Sequence, residues 1–166
     1  MKVAAPMSDL RYRFTIDLDL SLPADFVWER VSTMEGVNAE LMPWLRMTVP
    51  PAVRERSLME GPVGEPMFSS WLLLGGFVPI DRHTFCLEAI EEGCFQEQSS
   101  SWLHAVWRHE RRVLGAEAGC RVVDTLGFRP RLPFVGRIVL WIVRRVFEHR
   151  HRRLARWAQT RRANVL

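Results

Sequence analysis

Alternation of hydrophobic and polar residues is the strongest pattern in this sequence. Between residues 11 and 20 every second side chain is apolar, which predicts a strand with one face on the core and the other in water. Further runs, interrupted by turn residues such as Gly75-Gly76 and Glu92-Gly93, predict more strands. The predicted set is 11–20, 44–49, 67–74, 82–91, 94–100, 102–113 and 120–128. Short turns between successive strands indicate an antiparallel meander.

Three other segments have helical spacing. After the first strand, Ser21 is a predicted helix cap and Pro23 suits a first turn, so we expect a helix from Pro23 to about Thr33, ended by Gly36. A second short helix is expected over about residues 37–42. A long helix is expected over about residues 134–162, with a buried side made of Val135, Val139, Ile142, Val146 and Leu154.

This order of elements predicts an α+β fold. A curved seven-stranded antiparallel sheet would wrap around the long C-terminal helix, with two short helices after the first strand. A straight helix does not fill a curved sheet, so we expect a cavity between them. The length fits one domain, 1–166, with an N-terminal tail over 1–9. The Pro- and Gly-rich stretch 50–66 is either a lid or an ordinary surface loop.

Positive charge is concentrated at the C-terminal end. The whole chain has a net charge of +4, but residues 134–166 carry nine Arg and one Glu, or +8, so subtraction leaves the first 133 residues at −4. This Arg-rich segment has three interpretations, a solvated helix face, contact with an anionic membrane surface, or contact with nucleic acid. The few aromatic residues among these Arg disfavour the stacking on which nucleic-acid binding depends.

Composition narrows the class of protein. Hydrophobic residues make up 48% of the chain and charged residues 25%, which is typical of a globular domain. Three cysteines without CxxC spacing, and an N-terminus too short and polar for a signal peptide, predict reduced thiols in a cytoplasm. The longest candidate membrane span, residues 138–143, is far shorter than the roughly 20 residues that a bilayer needs.

Ionisable side chains are predicted on the core-facing side of the sheet. In the run 102–113 the apolar face that carries Trp107 also carries His109 and Arg111, and Asp124 has apolar neighbours two residues away on either side. A buried carboxylate needs a partner, and Arg111 or His109 is the expected one. The complete inward set is His83, Glu97, His109, Arg111 and Asp124. Three roles remain open: a structural ion pair, a patch that orients a ligand head group, or acid–base catalysis by His109 with Asp124.

Other chemistry has less support. His83, Glu97, His109 and Asp124 are residue types that bind metals, but they show no compact metal-binding spacing. The sequence has no GxSxG motif and no Gly-rich phosphate loop, and alternation places Cys86 on the outer face. Neither a metal nor a cofactor is therefore predicted.

Aromatic side chains suit the walls of an apolar pocket as well as an ordinary core. The candidates for pocket walls are Trp71, Phe77, Phe85, Trp102, Trp107, Phe128, Phe134 and Trp141. Phe77 follows the glycine pair at 75–76, and a bulky ring beside a flexible turn suits a gate. For each ring taken alone, packing in the core is the simpler alternative.

The sequence also resembles a known superfamily. The run SLPADFVWERVSTMEGVNAELMPW, with Val27-Trp28 in a Pro-initiated helix, is similar to the N-terminal signature of START-like proteins, also called SRPBCC or helix-grip proteins. The segment FQEQSSSWLHAVWRHERRV, followed by RVVDTL, resembles a bacterial ligand-binding branch that has a Trp-x-His-x-x-Arg pattern and a later Asp. Here those residues are Trp107, His109, Arg112 and Asp124. The resemblance extends over residues 10 to about 160.

The resemblance implies binding or carriage of a hydrophobic small molecule, such as a lipid, polyketide or aromatic compound, in the cavity under the long helix. Some members are cyclases, aromatases or hydrolase-like enzymes, so the alternative is an enzyme with His109 and Asp124 as acid and base. An anionic membrane surface is a further candidate partner of the Arg-rich helix, nucleic acid is not expected, and the oligomeric state stays open. The predicted ligand-binding residues are Trp71, Phe77, His83, Phe85, Glu97, Trp107, His109, Arg111, Asp124, Phe128, Phe134 and Trp141.

Overall fold

The alternation near the start of the chain forms strand β1, Tyr12–Leu20, whose side chains point in turn to the core and to solvent. The computed structural model describes residues 6–54 and 57–163. The strands after β1 are β2 (Leu45–Met47), β3 (Pro66–Leu74), β4 (Val78–Glu91), β5 (Cys94–Ser101), β6 (His104–Ala116) and β7 (Gly119–Pro130). They form one antiparallel sheet in the order β1-β7-β6-β5-β4-β3-β2. The predicted seven-stranded sheet is confirmed.

Two short helices follow β1, as predicted: α1 (Ala24–Val31) and α2 (Met34–Leu41). Two details of that prediction are wrong. Pro23 precedes α1 directly, and no side chain caps that helix, so Ser21 is not its cap. Gly36 does not end α1 but lies inside α2, where its backbone N–H donates to Thr33 Oγ1 at 3.0 Å.

Gly36 lies in α2 because the two helices approach closely there. A β-carbon at this position would lie 1.9 Å from the backbone oxygen of Arg30. Alanine is favoured over glycine in a helix by up to about 1 kcal/mol, but overpacking costs about 1–3 kcal/mol. Because this clash is with backbone, we expect the upper end of that cost, so Gly36→Ala should lower the free energy of unfolding by about 2 kcal/mol. Urea denaturation measures this difference.

The matched control is Gly115→Ala, because a β-carbon at Gly115 meets nothing within 4 Å. We expect this variant to keep the stability of the parent or to exceed it. A Gly36→Ala protein as stable as Gly115→Ala would contradict the close approach of α1 and α2.

The largest differences from the predicted strand starts are at β4 and β6. Strand β6 begins at His104 and not at residue 102, and a register shift between His104 and Val106 interrupts its alternation. Strand β4 begins at Val78, four residues before the predicted start. The stretch 50–66 contains two 3-10 turns, Pro51–Val53 and Leu58–Glu60, while residues 55–56 lie outside the described residues. In the predicted tail, residues 1–5 also lie outside them, and 7–9 form a 3-10 turn.

The long helix α3, Gly136–Ala163, packs across β1, β7 and α2 and completes the predicted architecture. Leu154 is buried as expected, together with Phe147. Ile142 was predicted to be buried, but it is 47% exposed. Its position five residues before Phe147 turns it about 140° away from the sheet-facing side of a helix with 3.6 residues per turn. The core lies between the sheet, α1 and the second half of α3, and includes Val27, Val31, Leu87, Val122, Leu154 and Ala158.

Candidate functional site

The sheet register brings the predicted inward charges together. Arg111 on β6 lies opposite Asp124 on β7, and Glu97 on β5 lies opposite His109 on β6. The Arg111 guanidinium binds Asp124 with two parallel hydrogen bonds of 2.8 Å. His109 Nε2 donates to the same carboxylate at 2.7 Å. Arg111 and Asp124 are both 0% exposed, so this pair is fully buried.

The two helices supply the other members of this cluster. Glu40 on α2 accepts from Arg111 Nη1 at 2.8 and 3.0 Å, and Arg150 on α3 donates to Glu40 at 3.0 Å. His151, the next residue of α3, donates from Nε2 to Asp124 Oδ2 at 2.7 Å. We refer to Glu40, His109, Arg111, Asp124, Arg150 and His151 as the core ion network. It joins the sheet to α2 and α3 through buried charges.

The pKa values of the network follow from burial and from these partners. Burial alone would raise the pKa of Asp124, but the Arg111 guanidinium and its hydrogen bonds hold that pKa well below its usual range. Burial likewise works against ionised Glu40, and Arg111 and Arg150 outweigh it and lower the pKa. Burial would lower the pKa of Arg111, but Asp124 and Glu40 raise it. Glu40, Arg111 and Asp124 therefore stay ionised.

A smaller cluster lies beside this network. Glu97 accepts from His83 Nε2 and from Ser99 Oγ, both at 2.6 Å, and its second oxygen is 3.7 Å from His109 Nδ1. Burial opposes ionisation of Glu97, but the nearby His83 lowers its pKa. Burial also opposes protonation of His83, and the charge of Glu97 raises that pKa above its ordinary value. All five predicted inward ionisable groups thus belong to these two clusters.

The expected cavity does not open at His109, Arg111 or Asp124. The buried ring of His109 packs edge-on against both Phe95 and Phe147, with each ring centroid 5.1 Å away. Phe147 is buried on α3, so the middle of that helix rests directly on the sheet. The prediction of a hollow walled by His109, Arg111 and Asp124 is therefore wrong, because the helices bring their own charged side chains to fill it.

A further buried histidine lies toward the end of the sheet where β6 begins. His104 packs against Trp107 and Phe128, each with a ring centroid 5.2 Å away. Its Nδ1 is 3.2 Å from Ser101 Oγ, while its buried Nε2 has no hydrogen-bond partner among the described residues. Two other buried side-chain nitrogens in those residues share this property, Arg108 Nε and His151 Nδ1.

The hydrogen bonds at Ser101 assign the tautomer of His104. Ser101 Oγ accepts from the backbone N–H of His104 at 3.0 Å and from that of Leu103 at 3.2 Å, and the Leu103 N–H is shared with Asp81 Oδ1 at 3.2 Å. Both lone pairs of the hydroxyl are then occupied, so its own hydrogen donates to His104 Nδ1. Burial lowers the pKa of His104 to about 4, and Asp81 only partly offsets this effect. The ring is neutral, and its proton is on Nε2.

The match to a family model decides the family. The model described as "Domain of unknown function (DUF8410)" matches residues 18–158. The chain belongs to the DUF8410 family. No curated protein sequence matches it.

Solved structures share the fold of this DUF8410 chain. They include a START superfamily protein from Mycobacterium smegmatis (11% identity, TM-score 0.64, 89% of this chain and 97% of that one covered). The ZhuI aromatase/cyclase from Streptomyces sp. R1128 (15%, 0.60, 90% and 94%) and protein CV1439 from Chromobacterium violaceum (10%, 0.65, 87% and 95%) are also similar. The fold of the DUF8410 chain is therefore START-like, as the sequence resemblance implied. Sequence identities this low show that the fold is shared, and they show nothing about activity or ligand.

The predicted aromatic wall residues of the DUF8410 chain fall into two groups. Phe85 and Phe128 are buried and Trp107 is partly buried on the concave side of the sheet. Phe77 and Phe134 are 79% and 80% exposed, and Trp141 is also exposed. Trp71 is partly buried and packs edge-on against the exposed Trp102, with ring centroids 4.9 Å apart. The exposed group does not line an enclosed space, because the turns that carry it extend beyond the edge of the core.

The described part of the DUF8410 chain has hollows at its surface, and one of them reaches the core ion network at Glu40. This hollow, of about 250 Å³, lies between α1, α2 and the C-terminal half of α3, and its walls include Arg30, Arg153 and Trp157. Another, of about 80 Å³, lies under the loop that contains Leu58. Neither is lined by a predicted ligand-binding residue. Within residues 6–54 and 57–163, no group of three or more His, Cys, Asp and Glu side chains is arranged to hold a metal ion.

Four polar residues of the site were missed by reasoning from the sequence. Arg150 is four residues from both Val146 and Leu154, so helical spacing alone could have placed it on the buried side of α3. Its neighbour His151 is four residues after Phe147, and Glu40 lies four residues after the buried Gly36. His104 gave no such signal, because the register shift after it breaks the alternation.

None of the helices in the described parts of the chain has the length and apolar character needed to cross a bilayer.

Proposed function

We propose that this protein binds a hydrophobic small molecule with a hydrogen-bond acceptor, held by His104 beneath the first turns of α3. The observation that carries the proposal is the buried Nε2–H of His104, which lacks a partner among the described residues. A buried donor left unpaired costs about 1–3 kcal/mol, so a ligand oxygen that meets this N–H relieves a penalty as well as forming a hydrogen bond.

The surroundings of His104 favour an apolar or aromatic ligand body. Trp107 and Phe128 both pack against the imidazole, and Tyr12 stacks on Phe128 with ring centroids 5.7 Å apart. Tyr12 in turn packs against Gly136, the first residue of α3, where a β-carbon would lie 2.1 Å from the tyrosine ring. One polar group within an apolar wall is the usual composition of a small-molecule site.

Burial along α3 supports access to this region. Val139, Leu140 and Val143 are only partly buried, although they share the sheet-facing side with the buried Phe147 and Leu154. The first half of the helix is therefore held less tightly than the half fixed by the core ion network. A small outward movement of these first turns would admit a ligand to His104.

The fold supports the same class of ligand. The similar solved structures include one that is named an aromatase/cyclase, so an aromatic ketone is a suitable first probe. Acetylnaphthalene carries a carbonyl acceptor on an aromatic body, and ethylnaphthalene is its matched partner without the acceptor.

The test is calorimetric titration of both probes into the parent protein and into His104→Phe, which keeps an aromatic ring against Trp107 and Phe128. We expect acetylnaphthalene to lose about fivefold in affinity in the variant, the value of one neutral hydrogen bond, and ethylnaphthalene to bind both proteins equally. Equal losses for both probes, or no binding of either by the parent, would rule out a donor role for His104.

The enzymatic alternative with His109 and Asp124 as acid and base has less support. Asp124 accepts four hydrogen bonds, from His109, His151 and twice from Arg111, which is the full capacity of a carboxylate. No lone pair of Asp124 is then free to accept a proton from a substrate inside the core. The close His109–Asp124 contact is the observation that keeps this reaction class as the second candidate.

A further inference from the structure

One end of the molecule carries most of its exposed large apolar side chains. This end lies where β1 begins and β7 ends, and we call it the apolar end. Its most exposed members, between 55% and 80% accessible, are Phe77, Trp102, Leu132, Phe134, Ile138 and Trp141. Contiguous exposed apolar surface on a folded domain marks a contact surface.

The antiparallel meander explains why these residues meet. The β3–β4 turn, the β5–β6 turn and the β7–α3 connection all lie at the same end of the strands. Trp102 N donates to Arg82 O at 3.3 Å, which joins the β5–β6 turn to β4. Arg131 N donates to Leu103 O at 3.0 Å, which joins the same turn to the segment before α3. The exposed side chains therefore lie at the same end of the molecule.

The first two turns of α3 extend this surface on the side away from the sheet. Phe147 and Leu154 define the side that faces the core, and helical spacing turns Ile138 and Trp141 away from it. Apolar side chains on that outer side have no core to join. Arg145 lies over the ring of Trp141, 5.8 Å from its centroid, so cationic and aromatic groups are interleaved here.

The charge of the apolar end is positive. Segments 72–82, 102–103 and 129–145 contain six Arg and a single acidic residue, Asp81, which is buried. Four of these cations, Arg82, Arg129, Arg131 and Arg137, are exposed and form no ion pair among the described residues. Unpaired Arg beside exposed Trp and Phe is the composition of proteins that bind at a lipid–water interface.

We propose that the apolar end docks onto the surface of an anionic lipid bilayer. The apolar rings would enter the headgroup region, and the unpaired Arg would meet acidic headgroups. A second copy of the chain fits less well, because a symmetric contact through this surface would bring the same Arg face to face. The proposal does not rest on ligand binding at His104.

This assignment differs from the membrane contact expected of the Arg-rich helix as a whole. Exposed large apolar residues of α3 end at Ile142, and the Arg beyond it, such as Arg152 and Arg153, have no exposed large apolar neighbours on the helix. The docking surface therefore includes only the first turns of α3, and the C-terminal half of the helix stays clear of the bilayer.

The experiment is flotation of the full chain with vesicles of phosphatidylcholine, with or without phosphatidylserine, at low and high salt. We expect binding only to vesicles with phosphatidylserine and weaker binding at high salt. Phe134→Ser with Trp141→Ser should lower the affinity by about tenfold or more. The matched control, Met59→Ser with Leu114→Ser, removes exposed apolar side chains at the opposite end and should leave the affinity unchanged.

Charge is tested with a second matched pair. Arg131→Gln with Arg137→Gln should weaken binding by about 30-fold, since each Arg near an anionic surface is worth about fivefold in affinity. Arg161→Gln with Arg162→Gln, at the far end of α3, should have no effect. The proposal is overturned if the parent binds no vesicles, or if the far pairs weaken binding as much as the near pairs. It is also overturned if sedimentation shows a dimer that the Phe134 and Trp141 substitutions dissociate.

Discussion

Replacement of Arg111 by methionine is expected to lower the free energy of unfolding by about 3–5 kcal/mol, the usual cost of removing one partner from a buried ion pair. Arg111 donates to both Glu40 and Asp124, so its loss leaves two buried carboxylates without their main cation. Thermal and urea denaturation followed by circular dichroism measure the difference.

The matched control is Arg121→Met. Arg121 forms a similar two-bond pair with Asp19, at 2.7 and 2.8 Å, but on the solvent side of the sheet. Exposed pairs contribute little, so this variant should melt at nearly the same temperature as the parent. Similar losses for Arg111→Met and Arg121→Met would contradict the burial of the core ion network.

The second large effect is a pH dependence that belongs to His104. Burial lowers its pKa from 6.5 to about 4, so between these values the unfolded chain binds a proton that the folded protein does not. The free energy of unfolding therefore falls as the pH is lowered through this range. A shift of this size corresponds to a loss of about 3 kcal/mol at the acidic end.

Comparison with His104→Asn isolates this contribution, because every other titrating group is common to both proteins. We expect the parent to lose more stability than the variant between pH 6.5 and about 4. His83 acts with the opposite sign: its raised pKa stabilises the fold at low pH, and this stabilisation is lost as the pH rises through that pKa. Parallel profiles for the parent and His104→Asn would show that His104 is not buried as a neutral ring.

Much of the fold could be predicted because half-buried strands have alternating apolar and polar residues, which can be read from the sequence. The parity that placed Val122, Leu126 and Phe128 inward also placed Asp124 inward, and all four are buried. The same reasoning anticipated that Asp124 pairs with Arg111 or His109, and it binds both. Alternation repeats every two residues, so an error of one residue in a predicted strand boundary does not change which side chains face the core.

The contents of the space under α3 could not be predicted in the same way. Strand parity says which charges point inward, but not which charges the helices bring to meet them. Glu40, Arg150 and His151 lie on α2 and α3, far in sequence from β6 and β7. They bind the inward charges of the sheet, or each other, where a polar cavity wall was expected. The sequence-based expectation of a hollow at His109 failed for this reason.

His104 illustrates a different limit. Strict alternation from His109 and Arg111 places an even-numbered residue such as His104 on the outer face. The register shift between His104 and Val106 reverses that assignment and buries the ring beside Phe128. A bulge of this kind depends on pairing with the neighbouring strand, so nothing local in the sequence reveals it.

The most direct test is a long-range proton–nitrogen correlation spectrum of the histidine rings near neutral pH, recorded with and without acetylnaphthalene. We predict that His104 is a neutral ring with its proton on Nε2, and that this nitrogen resonance moves when acetylnaphthalene is added but not when ethylnaphthalene is added. A proton on Nδ1, a cationic ring, or an Nε2 resonance that does not move when acetylnaphthalene is added would contradict the role of His104 as the free donor of the binding site.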